Sequence, residues 1–168
     1  MRRVVVTEYN PEWKWQFDLA ASEIQKVLAE ECLAVHHIGS TSIQGMAAKP
    51  VIDLMPVVRD IEQIDRFNNE LEKLGYVAKG ENGLPGRRYF QRGGDERTHH
   101  VHVYQEGSVE IMRHLAFRDY LRENPRIAEE YGTLKKKLAK ENPCNIEKYI
   151  EGKEALVLQI EKRAMGAI

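Results

Sequence analysis

The turn Gly39-Ser40-Thr41-Ser42 and the carboxylate of Asp53 are the parts of this chain best suited to chemistry. Gly39 lets the backbone come close to a ligand, and the hydroxyls and amides of such a turn can bind an anion. Asp53 lies in the apolar run Val-Ile-Asp-Leu, where a carboxylate is costly to bury unless it is paired or binds a metal. Together the two segments predict a phosphate cradle that faces a metal-binding carboxylate.

Plainer interpretations of the same residues stay open at this point. The turn is also typical of an ordinary chain reversal, and Asp53 can be the buried partner of Lys49 or of an arginine. Lys49 itself is a predicted phosphate-binding residue, and Pro50 holds it in an extended backbone.

His100 and His102 are two residues apart in a predicted strand, so their side chains point to the same face. Two imidazoles at this spacing can bind one ion, although they could instead contact phosphate or line a polar face. If Asp53 approaches them, the set suits a transition metal better than Mg²⁺. Asp53, His100 and His102 are therefore the candidate metal ligands, and Mg²⁺, Mn²⁺ and Zn²⁺ are the candidate ions.

Arg87 and Arg88 follow a Pro-Gly pair at the start of another predicted strand. Arginine is a natural partner for phosphate because its fork bonds two oxygens at once. Neighbouring strand residues face opposite ways, so we expect at most one of the two to enter the pocket. The alternative is a surface salt bridge.

The C-terminal part carries further candidates on helices. His114 and Arg118 are four residues apart and share a helix face, and their role is left open, whereas Asp119 is expected to be structural. The run Lys135-Lys136-Lys137 is typical of a solvated helix face from which one lysine can reach the cleft.

Hydrophobic spacing and turn residues predict the elements that must hold these side chains. The predicted helices cover residues 11–31, 60–75, 110–123, 125–140 and 146–165. The predicted strands cover residues 33–38, 51–58, 87–92 and 98–104, the last two forming a hairpin. This order predicts an α+β fold with a small mixed β-sheet, flanking helices and a helical C-terminal third, in one domain over residues 1–168.

The composition narrows the classes of partner. Of the 168 residues, 42% are hydrophobic and 30% are charged, with a net charge of −1, which argues against a broad nucleic-acid surface. Two distant cysteines are a poor disulfide framework and are typical of a reducing cytoplasm. No run approaches the roughly 18 apolar residues of a membrane span. These features leave a small phosphorylated molecule, which the turn at residues 39–42 already predicts, as the expected partner.

Five stretches of the chain resemble one known family. They are residues 37–42, 49–53, 85–90, 100–103 and 114–121. A Gly-Ser pair before an aspartate strand resembles the nucleotidyltransferase fold, and the five stretches resemble the GrpB family of small bacterial proteins within that superfamily. The resemblance covers nearly the whole chain. It implies a nucleotidyltransferase-like sheet, a nucleotide or other phosphorylated ligand, and a divalent metal ion held by Asp53 as the catalytic residue.

One position departs from the pattern of active nucleotidyltransferases. A second acidic residue belongs two positions after the first, and Met55 stands there with a thioether that binds Mg²⁺ poorly. A second departure is on the later strand, where active nucleotidyltransferases carry a third carboxylate and this chain has a histidine. Three functions stay open: transfer of a nucleotidyl group to a small acceptor, nucleotide or phosphate binding without catalysis, and other metal-dependent chemistry at Asp53, His100 and His102.

Overall fold

Five strands form one mixed sheet in the computed structural model, which describes residues 3–166. The strands are β1 (Cys32–Ile38), β2 (Ile52–Val58), β3 (Val77–Ala78), β4 (Arg88–Arg92) and β5 (His99–Gln105). Their order across the sheet is β1-β2-β5-β4-β3. β2 and β5 run parallel, and the other neighbours are antiparallel. The α+β fold and the β4–β5 hairpin are confirmed, whereas the two-residue edge strand β3 was not predicted.

Five α-helices complete the fold. They are α1 (Glu12–Leu28), α2 (Asn68–Lys73), α3 (Val109–Glu123), α4 (Pro125–Glu141) and α5 (Ile146–Gly166). Ser108 caps α3 by accepting a hydrogen bond from the amide of Glu110, and Pro125 suits the first turn of α4, where an amide has no partner to lose. The helix predicted over residues 60–75 is instead a 3₁₀ helix, Ile61–Phe67, followed by the short α2. Each described helix is too short or too polar to span a bilayer.

Side-chain alternation gives the sheet two different faces. The core face packs on α1, and its buried residues include Ile52, Leu54, Phe90, Val101 and Val103. The site face presents Asp53 and Met55 from β2, with His100, His102 and Tyr104 from β5. The apolar run of β2 is thus explained by burial on both faces, with Asp53 as its polar exception.

The helical C-terminal third covers the site face. Ile111 and Leu115 of α3 pack on Ile38, Met55 and Tyr104 of the sheet. Further along, Leu121, Tyr131 and Ile160 join α3, α4 and α5 in a second cluster with Ile43 and Met46, which follow the Gly-Ser turn. The segment between β1 and β2 is therefore held between the sheet and the helices.

His37 makes the stability of this fold sensitive to acid. Its ring is buried on the core face, stacks on Phe17 with centroids 4.5 Å apart, and lies 2.9 Å from the hydroxyl of Thr41. Burial lowers the pKa of His37 to about 4, against about 6.5 in an unfolded chain. The unfolded state therefore binds a proton at His37 more readily than the folded state does. The stability that the neutral, buried ring gives the fold is complete above about pH 6.5 and is lost as the pH falls towards 4.

Protonation of His37 should lower the free energy of unfolding by about 3 kcal/mol between about pH 6.5 and pH 4. Denaturant titrations of the wild type and His37→Gln at a series of pH values measure the effect, and the variant should show a shallower slope. Burial also lowers the pKa values of His99 and His114 to about 4, so the stability of the His37→Gln variant should still fall with pH, but less steeply. Identical slopes in both proteins would contradict the assignment to His37.

Candidate functional site

Asp53, His100 and His102 form a cluster on the site face. The parallel register sets Asp53 directly beside His100, and alternation along β5 brings His102 to the same face. Oδ1 of Asp53 lies 3.1 Å from Nε2 of His102 and 3.4 Å from Nδ1 of His100. The three side chains keep between 15% and 25% of their exposure, so the cluster remains accessible to an ion. The structure thus brings the three predicted metal ligands together.

The histidines keep Asp53 ionised. Burial by itself would raise the pKa of this carboxyl, but the hydrogen bonds and charges of His100 and His102 outweigh burial. Together they hold the pKa of Asp53 well below its ordinary range. Asp53 is therefore a carboxylate at neutral pH, which is the form that binds a cation.

The donor set fits a divalent transition metal. Bonds of about 2.0–2.2 Å place neighbouring ligand atoms about 3.0–3.4 Å apart around one ion, close to the separations of Asp53 from the two imidazoles. One ligand atom from each residue lies within 4.8 Å of the others. Two imidazoles and one carboxylate favour Zn²⁺ or Mn²⁺ over Mg²⁺, which prefers oxygen ligands.

The Gly39 turn lies directly against this carboxylate. Gly39 has φ +73° and ψ −176°, a combination that is essentially restricted to glycine. A Cβ atom placed on Gly39 would overlap Oδ2 of Asp53 and lie 3.0 Å from its Cγ. The absence of a side chain at this position therefore lets the backbone of the turn touch the carboxylate.

Two arginines of α3 hold the turn in place. Arg118 donates from Nη1 to the carbonyl oxygen of His37 at 3.2 Å, and Arg122 donates from Nε and Nη2 to the carbonyl oxygen of Ser42 at 3.0 and 2.9 Å. Arg118 also pairs with Asp119 at 2.9 Å. Arg118, whose role the sequence left open, therefore makes structural contacts, and Asp119 is part of the same support.

The hydroxyls of the turn have different surroundings. Thr41 donates to the carbonyl oxygen of Val51 at 3.3 Å, and the hydroxyl of Ser42 bonds the carbonyl of Gly39. Gly39, Ser40 and Thr41 line a cavity of about 490 Å³ together with Asp53. Ser42 instead lines a larger cavity of about 1160 Å³ on the other side of the turn. Of the four turn residues predicted to bind phosphate, Ser42 is thus the one that does not line the smaller cavity.

The smaller cavity, called here the site cavity, has two walls and a volume typical of small-molecule sites. Its sheet wall contains Gly39, Ser40, Asp53 and His100, with Lys49 and Val51 beside them. Its helix wall contains Arg113, His114 and Phe117 of α3, Tyr131 and Lys135 of α4, and Tyr149 and Lys153 of α5. His102 does not line the cavity, and it reaches Asp53 from beside His114, whose ring centroid is 5.9 Å away.

Lys135 is the lysine of the run that reaches the cleft, while the other two form the solvated helix face. Its side chain is 1% exposed, whereas Lys136 and Lys137 lie on the surface and pair with Glu8 and Glu141. Burial, followed by the charges of Lys153 and Lys49, lowers the pKa of Lys135 to about 6. The helical register contained the signal, because Lys135 shares the buried stripe of α4 that includes Tyr131 and Leu138.

Neither Arg87 nor Arg88 lines the site cavity, which corrects the prediction that one of them enters the pocket. Arg88 pairs with Val103 across the hairpin and therefore points to the core face, where its Nε contacts Asp65 at 2.9 Å. Arg87 donates to the carbonyl oxygens of Glu81 at 3.2 Å and Asn82 at 2.9 Å. Both arginines therefore make contacts that support the fold outside the site cavity.

Tyr131, Tyr149 and Lys153 were not among the predicted site residues. They reach the cavity only because α4 and α5 pack against α3 over the sheet, and the local sequence contains no turn, glycine or strand pattern that marks them. Their place in the cavity depends on tertiary packing alone.

Comparisons with known proteins match this architecture. A family model described as GrpB protein matches residues 3–163. The UPF0157 protein YqkA of Bacillus subtilis is 50% identical over 97% of this chain and 48% of its own length, so the chain spans about half of that relative. The crystal structure of conserved protein GrpB from Enterococcus faecalis has a TM-score of 0.94 and 52% identity, over 97% of this chain and 98% of that one.

The fold also resembles a nucleotidyltransferase of known structure. Cid1 in complex with the UTP analogue UMPNPP has a TM-score of 0.54 at 15% identity, over 79% of this chain and 42% of that chain. At this identity the similarity shows the fold alone. The mixed sheet with its flanking helices is therefore nucleotidyltransferase-like.

Proposed function

This chain belongs to the GrpB family, and we propose that it binds a nucleotide or another phosphorylated small molecule together with a divalent metal ion in the site cavity. The observation that carries the proposal is the contact between Gly39 and Asp53. It places a turn of the phosphate-binding type against a carboxylate that two histidines already approach.

Each group has a distinct role in this proposal. Asp53, His100 and His102 would hold the ion, which neutralises negative charge on phosphate oxygens when it is bound. Ser40 and the backbone of Gly39 orient the phosphates, and each charge-assisted hydrogen bond contributes about 1.5–3 kcal/mol. Burial and the charge of Arg113 lower the pKa of His114 to about 4. His114 therefore enters hydrogen bonds with the ligand as an uncharged ring at neutral pH.

The proposed chemistry is transfer of a nucleotidyl group to a small acceptor. An acceptor oxygen forms a bond to the α-phosphorus, the bond from that phosphorus to its bridging oxygen breaks, and pyrophosphate leaves. The proton of the acceptor passes to solvent. The similarity to Cid1, whose structure holds a UTP analogue, supports a nucleotide as the ligand, while the chemistry must be judged from the site because one fold hosts many functions.

Met55 favours a second candidate, a nucleotide-binding module without catalysis. Its side chain is fully buried among Ile38 and Tyr104. The position that carries a second metal-binding carboxylate in active nucleotidyltransferases is therefore both apolar and closed. A site with one metal ion can bind phosphates firmly. It lacks the second metal ion that stabilises the attacking and leaving oxygens when a phosphoryl group is transferred in a two-metal site.

The proposal is tested by stabilisation of the native protein. Thermal unfolding is measured with nucleotides or sugar phosphates, each combined with Mg²⁺, Mn²⁺ or Zn²⁺. A ligand at about 100 times its Kd should add about 2.7 kcal/mol to the free energy of unfolding, and ion and phosphate together should shift the transition further than the ion alone. If no phosphorylated compound shifts the transition in the presence of metal, the proposed function is wrong.

The metal cluster makes a separate prediction for the ion alone. We expect Zn²⁺ or Mn²⁺ to bind more tightly than Mg²⁺, and His102→Ala to weaken binding by at least about tenfold, since even outer-sphere partners contribute that much. Titration calorimetry measures both. His99→Ala is the matched control, because His99 lies on the core face of the same strand beside Arg92. Equal affinities in wild type and His102→Ala would exclude His102 as a ligand.

A further inference from the structure

The site cavity is lined by three lysines that the metal site does not use. Nζ of Lys135 lies 4.4 Å from the ring centroid of Tyr131, and Nζ of Lys153 lies 5.3 Å from that of Tyr149. Nζ of Lys49, in the segment that precedes β2, also lies 5.3 Å from the ring centroid of Tyr149. Lys49, Lys135 and Lys153 are called the lysine cluster below.

Lys135 shows that this cluster is incomplete by itself. Its side chain is 99% buried, and its Nζ has no hydrogen-bond partner within residues 3–166. A buried amine without a partner is costly, and two further ammonium groups nearby add repulsion. The aromatic ring of Tyr131 offers a weaker, cation–π contact. An anion in the cavity would satisfy the Nζ of Lys135 and relieve the repulsion among the three amines.

The carboxylates around the cavity do not take this role. Glu161 is engaged by Arg113 at 2.8 Å, and Arg113 is also bound by Glu110. Glu154 lines the cavity but is exposed to solvent. The groups near Lys135 are therefore Tyr131 on its own helix, Tyr149 and Lys153 on α5, and Lys49 before β2. Their combined charge is positive.

We propose that the lysine cluster is an anion subsite for the terminal phosphates of a linked polyphosphate, and that Lys135 takes up a proton when this anion binds. The proposal rests on the proposed function for the other end of the ligand, which lies at Asp53, His100 and Gly39. One cavity then attracts negative charge from two walls, which selects two or more linked phosphates over a single phosphate group.

The proton uptake follows from the state of Lys135 in the empty cavity. Burial and the two neighbouring lysines lower its pKa to about 6, so the amine is largely uncharged at about pH 7.5. A polyphosphate favours the charged form and raises that pKa. Binding should therefore take close to one proton from the buffer for each ligand bound.

The experiment uses inorganic tripolyphosphate with a chelator present, so that the metal cluster makes no contribution. Calorimetric titrations at about pH 7.5 are run at one ionic strength in two buffers of different ionisation enthalpy, because the difference in heat reports proton uptake. Wild type should bind tripolyphosphate at least about tenfold more tightly than inorganic phosphate, with an uptake of nearly one proton. Absence of binding or of uptake in wild type would overturn the proposal.

Three variants assign the effect to the cluster. Lys135→Met should weaken tripolyphosphate binding by at least about tenfold and abolish proton uptake. Lys153→Met should weaken binding while uptake persists, and it also serves if Lys135→Met does not fold. Lys136→Met is the matched control, because its side chain lies on the outer face of the same helix. Unchanged affinity in both cluster variants would refute the subsite.

The metal site is measured separately so that the two proposals can fail separately. Zn²⁺ titration of Lys135→Met should give the wild-type affinity, and Asp53→Asn should still bind tripolyphosphate in chelator. Loss of tripolyphosphate binding with intact metal binding in Lys135→Met supports the subsite. Tripolyphosphate binding without any metal binding would leave the subsite standing and defeat the proposed function.

Discussion

Asp53→Asn is expected to lower metal-dependent release of pyrophosphate by at least about 100-fold while the fold stays intact. The substitution keeps the shape of the side chain and removes the negative charge that His100 and His102 approach at 3.4 and 3.1 Å. A metal that stabilises charge in the transition state loses its one anionic ligand, so turnover should fall far more than stability. Pyrophosphate is measured with mixed nucleotides and a pool of small acceptors.

Asp65→Asn is the control for this experiment, because Asp65 carries the same carboxylate in a contact with Arg88 on the core face. It should release pyrophosphate at the wild-type rate. If the chain is a binding module without catalysis, wild type should bind nucleotide and release none, and Asp53→Asn should alter metal dependence more than nucleotide binding. Robust release that Asp53→Asn leaves unchanged would defeat both proposals and move the active site away from β2.

The elements of the fold follow from local patterns, whereas the site depends on their pairing. The strands β1, β2, β4 and β5 were predicted to within one or two residues because apolar runs and glycine turns are local signals. The parallel register that puts Asp53 beside His100 is set by contacts between segments far apart in the chain. From the sequence alone, the cluster of Asp53, His100 and His102 could be predicted only on the assumption that β2 and β5 are neighbours in the sheet.

Arg88 and Lys135 show what residue type alone does not decide when a site is predicted from sequence. Arg88 has the right chemistry for phosphate, but its place in the hairpin register directs it to Asp65 on the core face. Lys135 sits in a run that normally contacts solvent, but the helical period puts it in line with Tyr131 and Leu138. Residue type placed Arg88 wrongly. It also left open which lysine of the run reaches the cleft, and the helical period of α4 identifies Lys135.

Gly39→Ala is expected to disable the metal site and to destabilise the protein more than the same change at Gly45. Both glycines have positive φ values, +73° and +81°, so both substitutions strain the backbone by about 1–3 kcal/mol. A Cβ atom at Gly45 meets nothing within 4 Å, whereas one at Gly39 overlaps the carboxylate of Asp53. The difference between the two variants therefore includes the contact between turn and carboxylate, which a double-mutant cycle separates from backbone strain.

Metal titration and denaturant unfolding on both variants measure this contact. Gly39→Ala should lose metal affinity on the order of 100-fold, because the overlap displaces Asp53 from His100 and His102, whereas Gly45→Ala should bind metal as wild type does. A double-mutant cycle with Asp53→Ala sharpens the test. Removing the carboxylate relieves most of the overlap, so the double variant should be more stable than the sum of the two single changes predicts. Strict additivity would mean that Gly39 is required for its backbone conformation alone and that the turn does not position the carboxylate.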